Sequence, residues 1–265
     1  MSFEPLNSLN DKVTVITGGG AVARAAAKKL SEYGSTIILL ARNNIEELQS
    51  YLNTLGNNHI VIYVDILKTE TIKQAVELIK EKFKKCDILI NTAGRNKNIT
   101  LKNLHELTDD IFDEIILTNT RGTFSVIREF YELLSLSGDG LVINISSICP
   151  SRSVATYSKN MMAYGASKVA LDYLTKSLAR ILATNNIRVL GIAPTYLSSG
   201  GTSVDKNKTT NTKEEFLKFL NSEIAAIPLG RLQRPEDVAN TIKSLAMDIR
   251  FATGTTIVVD GGRLT

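Results

Sequence analysis

The sequence predicts an α/β protein built on a doubly wound parallel sheet of about seven strands, with helices on both faces. Short β-branched and aliphatic runs alternate with helical patterns along the whole chain. One such run, Thr36 to Ala41, is apolar on both faces, as a central parallel strand should be. Three glycines, Gly18 to Gly20, separate the first strand from the first helix. A length of 265 residues fits a single domain spanning 1–265.

The predicted elements follow one another in regular alternation. Strands are expected at 13–17, 36–41, 59–64, 86–90, 140–145, 187–193 and 255–259. Helices are expected at 21–33, 45–55, 69–84, 107–134, a long segment from Tyr164 to Leu182, 214–224, and from Pro235 onward. This order of elements predicts that the carboxyl ends of the strands share one edge of the sheet.

Composition excludes several classes of function. The 31 basic residues exceed the 27 acidic ones by four, and they are interspersed, so nucleic acid is not expected as a partner. The first residues lack a signal-peptide pattern, and no apolar run reaches about 18 residues. We therefore expect a soluble cytoplasmic protein that does not bind a membrane. Cys86 and Cys149 have no metal-type spacing, and neither a disulfide nor a metal site is predicted.

The first strand, the glycine turn and the first helix together are typical of a Rossmann-type dinucleotide-binding unit. Glycines let the backbone approach a pyrophosphate, and the amino terminus of a helix favours its negative charge. The second strand ends in Ala41, where an NAD site usually has an acidic residue, and Arg42 follows. This favours NADP(H) without excluding NAD(H). The alternative is an exposed arginine at the end of a strand.

Further polar and small residues follow the other strands. Asp65 ends the third strand, Asn91 to Gly94 follow the fourth, and Ser147 follows the fifth. Asn119 lies inside a predicted helix, where asparagine is unfavourable. It therefore has either a polar role in the site or the role of a buried, fully bonded amide.

Tyr164 and Lys168 lie four residues apart on one helix, so their side chains can face one cavity. A phenol with an ordinary pKa of about 10 becomes a useful general acid or base if a positive charge lowers that pKa. Lys168 could supply this charge. A polar segment at 196–224 is expected to form a lid over the substrate.

These motifs, in this order, resemble the short-chain dehydrogenase/reductase family over residues 9–262, and 3-oxoacyl reductases in particular. The resemblance rests on Thr17-Gly18-Gly19-Gly20, Asp65, Asn91-Thr92-Ala93-Gly94, Asn119, Asn144-Ile145-Ser146-Ser147, Tyr164-Gly165-Ala166-Ser167-Lys168, Ile192-Ala193-Pro194, Gly230-Arg231-Leu232, Pro235-Glu236-Asp237-Val238-Ala239 and Val259-Asp260-Gly261-Gly262.

The resemblance implies an NADP(H)-dependent carbonyl reductase or alcohol dehydrogenase acting on a small ketone or secondary alcohol. Tyr164 would be the general acid/base and Ser147 would bond the substrate oxygen. Lys168 would lower the pKa of Tyr164 and hold the nicotinamide ribose, and Asn119 would position a relay water. The implied cofactor-binding residues are Thr17, Gly18, Gly19, Gly20, Ala21, Val22, Arg42, Asn43, Asp65, Ile66, Asn91, Ala93, Gly94, Tyr164, Lys168, Pro194, Thr195, Leu197 and Ser199. The family also commonly forms homodimers or homotetramers through its two long central helices.

The chain departs from the family pattern at several positions. Ala21 and Ala23 stand at the second and third glycines of a turn that is one residue shorter than usual, and Thr195 replaces a frequent glycine. An inserted loop at about 154–161 precedes Tyr164. Enoyl reductases of this family place their tyrosine seven residues before the lysine, and that position here is Met161. The altered turn leaves a second hypothesis open, a dinucleotide-binding sensor or scaffold without catalysis.

Overall fold

A computed structural model describes residues 4–56, 58–96, 103–151, 161–198 and 213–265. Within these residues seven parallel strands form one sheet in the order β3-β2-β1-β4-β5-β6-β7. The strands are β1 Val13–Thr17, β2 Thr36–Ala41, β3 Ile60–Tyr63, β4 Ile88–Asn91, β5 Gly140–Ile145, β6 Ile187–Pro194 and β7 Thr256–Val259. The predicted doubly wound parallel sheet is confirmed.

The helices agree with the predicted segments to within a few residues at each end. They are α1 Ala21–Ser31, α2 Ile45–Asn53, α3 Thr69–Phe83, α4 Asp109–Ile116, α5 Thr123–Leu136, α6 Met162–Leu182, α7 Lys213–Ala225 and α8 Pro235–Met247. Among the residues described, no helix is both long enough and apolar enough to cross a membrane.

The two faces of the sheet bury two separate cores. Alternate strand residues, such as Val15 and Ile16 of β1, point to opposite faces. On one face α1, α2 and α8 pack against the sheet, and on the other face α3, α5 and α6 do so. The central strands are therefore buried on both sides, which explains their continuous apolar runs.

The strand order reverses between β1 and β4. From β1 the chain proceeds outward to β2 and β3, and β4 then returns to the other side of β1. At such a reversal the connections leave in opposite directions and open a crevice at the carboxyl ends of the strands. The topology therefore places the predicted ligand site at the ends of β1 and β4.

The segment predicted as one helix at 107–134 is interrupted. Residues Leu117–Gly122, which include Asn119, form a π-helical turn between α4 and α5. The Thr123 hydroxyl donates to the Asn119 carbonyl oxygen at 3.0 Å. A single π turn inside a helix is frequent at functional sites, and this one orients Asn119 toward α6.

Close packing between β6 and β7 gives a test of this sheet. A Cβ added to Gly191 of β6 would lie 2.4 Å from Thr256 Oγ1, whereas one added to Gly20 would meet nothing within 4 Å. We expect Gly191→Ala to lower the free energy of unfolding by roughly 1–3 kcal/mol through overpacking, and Gly20→Ala to change it little. Chemical denaturation of both variants measures this. Equal stability of the two variants would contradict the packing described here.

Candidate active site

A cavity of about 870 Å³ lies at the carboxyl ends of the strands, within the size range of small-molecule and cofactor sites. Most of the residues singled out in the sequence line it. They are Gly18, Gly19, Gly20, Ala21, Val22, Arg42, Asn43, Asp65, Ile66, Ala93, Gly94, Ser147, Tyr164, Lys168, Pro194, Thr195 and Leu197. The whole lining includes residues of six strand ends and four helices, α1, α2, α4 and α6.

The glycine turn forms one wall of the cavity without the strain expected from its altered sequence. Gly18 has φ +90°, a conformation that favours glycine, and a Cβ there would lie 3.1 Å from Thr92 Oγ1. Neither Ala21 nor Ala23 has a positive φ. Ala21 is the first residue of α1, and Ala23 packs in the core beneath it. The shortened turn thus requires glycine at Gly18 and accepts alanine at the later positions.

These features fit a dinucleotide cofactor. No side chain caps the amino terminus of α1, so its first amide groups face the cavity beside Gly20 and Ala21. The space next to Gly20 is open. Free amides at a helix amino terminus favour a phosphate group. Gly18 to Val22 would hold the pyrophosphate of such a cofactor.

The end of the cavity formed by the carboxyl ends of β2 and β3 is called the adenosine end here. Arg42 lies 3.8 Å from Asp65 across these neighbouring strands, and its side chain is half exposed. Asp65 Oδ1 accepts a hydrogen bond from the Leu67 amide. Arg42 is thus available to a ligand, while Asp65 is partly engaged by the protein.

The opposite end of the cavity holds Ser147, Tyr164 and Lys168. Tyr164 is hydrogen-bonded to Ser147, and the Ser147 hydroxyl accepts from the Cys149 amide at 3.0 Å. Lys168 is buried, donates to the Ile145 carbonyl oxygen at 2.8 Å, and lies 5.4 Å from the centroid of the Tyr164 ring. A hydroxyl, a phenol and an ammonium therefore share one corner of the cavity.

Burial shifts the pKa values of Lys168 and Tyr164 in this corner. It lowers the pKa of Lys168 to about 8, against a smaller opposing effect of Asp172. It raises the pKa of Tyr164 to about 12, and the hydrogen bond from Ser147 only partly offsets this. Desolvation of the phenol therefore holds the pKa of Tyr164 above its ordinary value, and the expected effect of Lys168 on that pKa stays a prediction.

Asn119 is fully buried, and its side chain fixes the chain after β4 through hydrogen bonds. Its Nδ2 donates to the Arg95 carbonyl oxygen at 3.0 Å and to Ser167 Oγ at 2.9 Å. Its Oδ1 accepts from the Arg95 amide at 2.6 Å. The side chain does not line the cavity, and the structure matches the reading of Asn119 as a buried, bonded amide. Its proposed relay water stays a prediction.

Comparisons with known proteins agree with this arrangement. A family model described as enoyl-(acyl carrier protein) reductase matches residues 19–263. A 3-oxoacyl-(acyl-carrier-protein) reductase of Rickettsia felis is 33% identical over 97% of this chain and 98% of its own. The chain belongs to the short-chain dehydrogenase/reductase family. An NAD-dependent glycerol dehydrogenase of Listeria innocua is 31% identical over 98% of this chain and 96% of its own.

Solved structures of short-chain dehydrogenases/reductases share the fold. A dehydrogenase/reductase from Sinorhizobium meliloti superposes with a TM-score of 0.81 at 29% identity, covering 97% of this chain and 96% of the other. Family members use nicotinamide cofactors, which agrees with the fit of the glycine turn. The chain is thus an oxidoreductase by family, and the named relatives act on different substrates.

Two predicted cofactor residues, Thr17 and Asn91, lie behind the cavity wall. Thr17 does not line the cavity, because its Oγ1 accepts from the Ala93 amide at 3.2 Å and so fixes the turn after β4. Asn91 pairs with Asn144 of the neighbouring strand, and its Nδ2 donates to Asn144 Oδ1 at 2.9 Å. Both side chains support the wall of the cavity from behind. Ser199 and the inserted loop at 154–160 lie outside the described residues.

Several cavity residues were missed by sequence reasoning. They are Arg24, Leu40, Asn44, Leu48, Val64, Leu67, Arg95, Asn96, Glu114, Thr118, Ile148 and Cys149. Most belong to helices or connections whose distance from the site is set by packing. Arg24 carried a detectable signal, since it follows the glycine turn closely. Among the described residues, no group of three or more His, Cys, Asp or Glu side chains could hold a metal ion.

Burial of Lys168 gives a prediction about stability and pH. Its folded pKa of about 8 lies below its ordinary 10.5, so between these values the unfolded chain binds a proton that the native chain does not. Wild-type stability should therefore rise with pH in this window, by about 3 kcal/mol relative to Lys168→Met. Denaturant unfolding at several pH values measures the difference. The exposed Lys176→Met on the same helix is the control, and a parallel pH dependence of both variants would contradict the prediction.

Proposed function

We propose that this protein is an NADP(H)-dependent short-chain oxidoreductase that interconverts a ketone and a secondary alcohol, with Tyr164 as general acid/base. The observation that carries the proposal is the meeting of Ser147, Tyr164 and Lys168 in the cavity that also holds the glycine turn. A protein that only binds a dinucleotide has no need for a buried phenol and ammonium at the far end of its site.

The roles follow from the positions of the side chains. A bound nicotinamide would supply a hydride to the carbonyl carbon in reduction and take one up in oxidation. The Ser147 hydroxyl would donate to the substrate oxygen and stabilise its developing charge. The Tyr164 hydroxyl would then transfer its proton to that oxygen. Lys168 would stabilise the resulting phenolate, because its amine is held 5.4 Å from the ring centroid by the Ile145 carbonyl.

The pKa of Tyr164 favours the reductive direction. A value of about 12 keeps the phenol protonated at neutral pH, as an acid must be before it donates. Oxidation would need the phenolate as the base, and burial disfavours that form. Lys168, with a pKa of about 8, is the group whose charge changes near neutrality. Reduction is therefore expected to slow as pH rises above about 8.

NADP(H) is favoured over NAD(H) because Arg42 is half exposed at the adenosine end and Ala41 leaves no carboxylate at that position. A relative named as an NAD-dependent enzyme makes a direct comparison of the two cofactors necessary. The substrate is proposed to be a small carbonyl or alcohol compound, covered by the lid at 196–224. Of that lid, 199–212 lie outside the described residues.

The central experiment is replacement of the proton donor. Tyr164→Phe should lower kcat for carbonyl reduction by roughly 10²-fold or more, because a positioned acid contributes at least that much. Binding of NADPH, followed by nicotinamide fluorescence, should be unchanged. Tyr63→Phe, at an exposed tyrosine of β3 outside the cavity lining, is the matched control. Activity retained in Tyr164→Phe would exclude Tyr164 as the acid.

The same assays separate the alternatives. NADPH bound at least tenfold more tightly than NADH, about 1.4 kcal/mol, supports the cofactor proposal. Binding of neither cofactor would favour the non-catalytic sensor or scaffold. The description of the matching family model makes enoyl thioesters a necessary part of the substrate panel. Met161 has no proton to donate at the position of an enoyl reductase tyrosine, so turnover of ketones is expected instead.

We also propose a homodimer or homotetramer formed through the helical layer of α4, α5 and α6. Large apolar side chains are exposed on these helices, namely Phe112, Leu117, Phe124, Tyr131, Met162, Val169, Tyr173 and Ile181. Val169 and Tyr173 lie four residues apart on one face of α6. Several large apolar side chains exposed on neighbouring helices are typical of an interface.

A single charged substitution on α6 tests this assembly. Tyr173→Asp should shift the sedimentation coefficient toward that of the monomer, because a carboxylate would be buried without a partner. Leu78→Asp, a similarly exposed apolar position on α3, is the control and should leave the assembly unchanged. A monomeric wild-type protein, or equal assembly of all three proteins, would overturn the proposal.

A further inference from the structure

We infer that Arg24 is a second cation for the 2′-phosphate of the cofactor and that Glu47 competes with that phosphate for it. The pair Arg24–Glu47 would then set how strongly the enzyme discriminates between NADPH and NADH. This inference rests on the proposed function, since it concerns the adenosine end of the same cavity. It adds to Arg42 a residue whose role depends on the shortened glycine turn of this chain.

Arg24 reaches the cavity from the first turn of α1. It lines the same cavity as Arg42 and Asn43, which begin the connection from β2 to α2. Its Nε donates to the Gly19 carbonyl oxygen at 3.1 Å. This contact holds the guanidinium beside the glycine turn, where a basic residue within the turn itself is missing.

Two further contacts fix the guanidinium in place. Its Nη2 lies 2.8 Å from Glu47 Oε1, and its Cζ lies 5.2 Å from the centroid of the Tyr51 ring. The Tyr51 hydroxyl in turn donates to the Arg24 carbonyl oxygen at 2.8 Å. Within the described part of the chain, Nη1 has no hydrogen-bond acceptor. Arg24 is therefore preorganised with free donors beside the adenosine end.

The contact with Glu47 is one that a phosphate can replace. The Glu47 side chain is 62% exposed and that of Arg24 is 28% exposed, and ion pairs of this kind contribute little. A phosphate monoester carries nearly two charges and accepts paired N–H donors from a guanidinium. It would compete successfully with a single solvated carboxylate.

At the adenosine end, each of the two arginines is paired with a carboxylate. Arg42 already has Asp65 at 3.8 Å, just as Arg24 has Glu47. Two cations facing two carboxylates leave no net positive charge for a dianion. A positive balance would arise if the exposed Glu47 carboxylate moved into solvent when Arg24 turned to the phosphate, whereas the largely buried Asp65 would stay beside Arg42.

The glycine turn and α2 are in close contact near this ion pair. A Cβ on Gly19 would lie 2.6 Å from Leu48 Cδ1, so the turn packs directly against α2 next to Glu47. Beside this contact, Arg24 of α1 and Glu47 of α2 lie next to each other at the rim of the cavity. A purely structural role, in which Arg24 only ties α1 to α2, is the competing explanation.

The test uses the full-length protein and probes that isolate the phosphate. Dissociation constants of 2′,5′-ADP and 5′-AMP are measured by calorimetry, and those of NADPH and NADH by fluorescence, at low ionic strength. Arg24→Gln should weaken 2′,5′-ADP and NADPH about tenfold, equivalent to about 1.4 kcal/mol, and leave 5′-AMP and NADH unchanged. Glu47→Gln should tighten the two 2′-phosphorylated ligands roughly twofold to fivefold, the range of an exposed ion pair.

Matched controls remove the same charges from the same helices. Lys29→Gln breaks the Lys29–Glu32 pair on α1, and Glu46→Gln lies beside Glu47 on α2. Neither residue lines the cavity, and neither variant should change any of the four constants beyond about twofold. Loss of all four ligands in Arg24→Gln would show a structural role and overturn the inference. No change in any ligand would also overturn it.

The outcomes also separate this inference from the proposed cofactor preference. If wild-type protein prefers NADPH and Arg24→Gln keeps that preference, only the inference fails. If wild-type protein shows no preference and Glu47→Gln creates one, the inference holds and the NADP preference fails. If neither protein distinguishes 2′,5′-ADP from 5′-AMP, both fail.

Discussion

Parallel pairing of the strands is the constraint on which the rest of this structure depends. Because all seven strands run the same way, their carboxyl ends meet at one edge, and residues up to about 180 positions apart in the sequence share one cavity. Reversal of the strand order at β1 and β4 opens the crevice there. The glycine turn, Arg42, Ser147 and the helix that carries Tyr164 are placed by this one feature.

The site is maintained at a cost in stability. Lys168 is buried with a lowered pKa, and its ammonium donates to the carbonyl oxygen of Ile145. A buried ammonium of this kind is unfavourable for folding but useful beside a phenol that gains negative charge during the reaction. Behind the cavity, three side chains form hydrogen bonds to the backbone and side chains of its wall. They are those of Asn119, Thr17 and Asn91. These supporting contacts keep the reacting groups in place.

The altered glycine turn keeps the features that a dinucleotide site needs. Gly18 keeps the one conformation that requires glycine, and α1 begins at Ala21 with its amino terminus open to the cavity. The turn packs against α2, where Leu48 lies against Gly19. The partly buried Arg24 of α1 and the exposed Glu47 of α2 are neighbours at the rim of the cavity. The charges that a ligand meets there therefore come from these helices as well as from the strand ends.

The sequence by itself determined the fold class, the order of the elements and many of the residues around the cavity, because strand patterns, glycines and the Tyr164–Lys168 spacing are local signals. It did not determine which side chains face the cavity and which support it from behind. Thr17 and Asn91 illustrate this, since each is committed by contacts with a neighbouring strand or turn. The π turn at Asn119, the contact of Arg24 with Glu47 and the raised pKa of Tyr164 were likewise decided only by the tertiary structure. Each depends on distances and burial between segments remote in sequence, which local patterns do not specify.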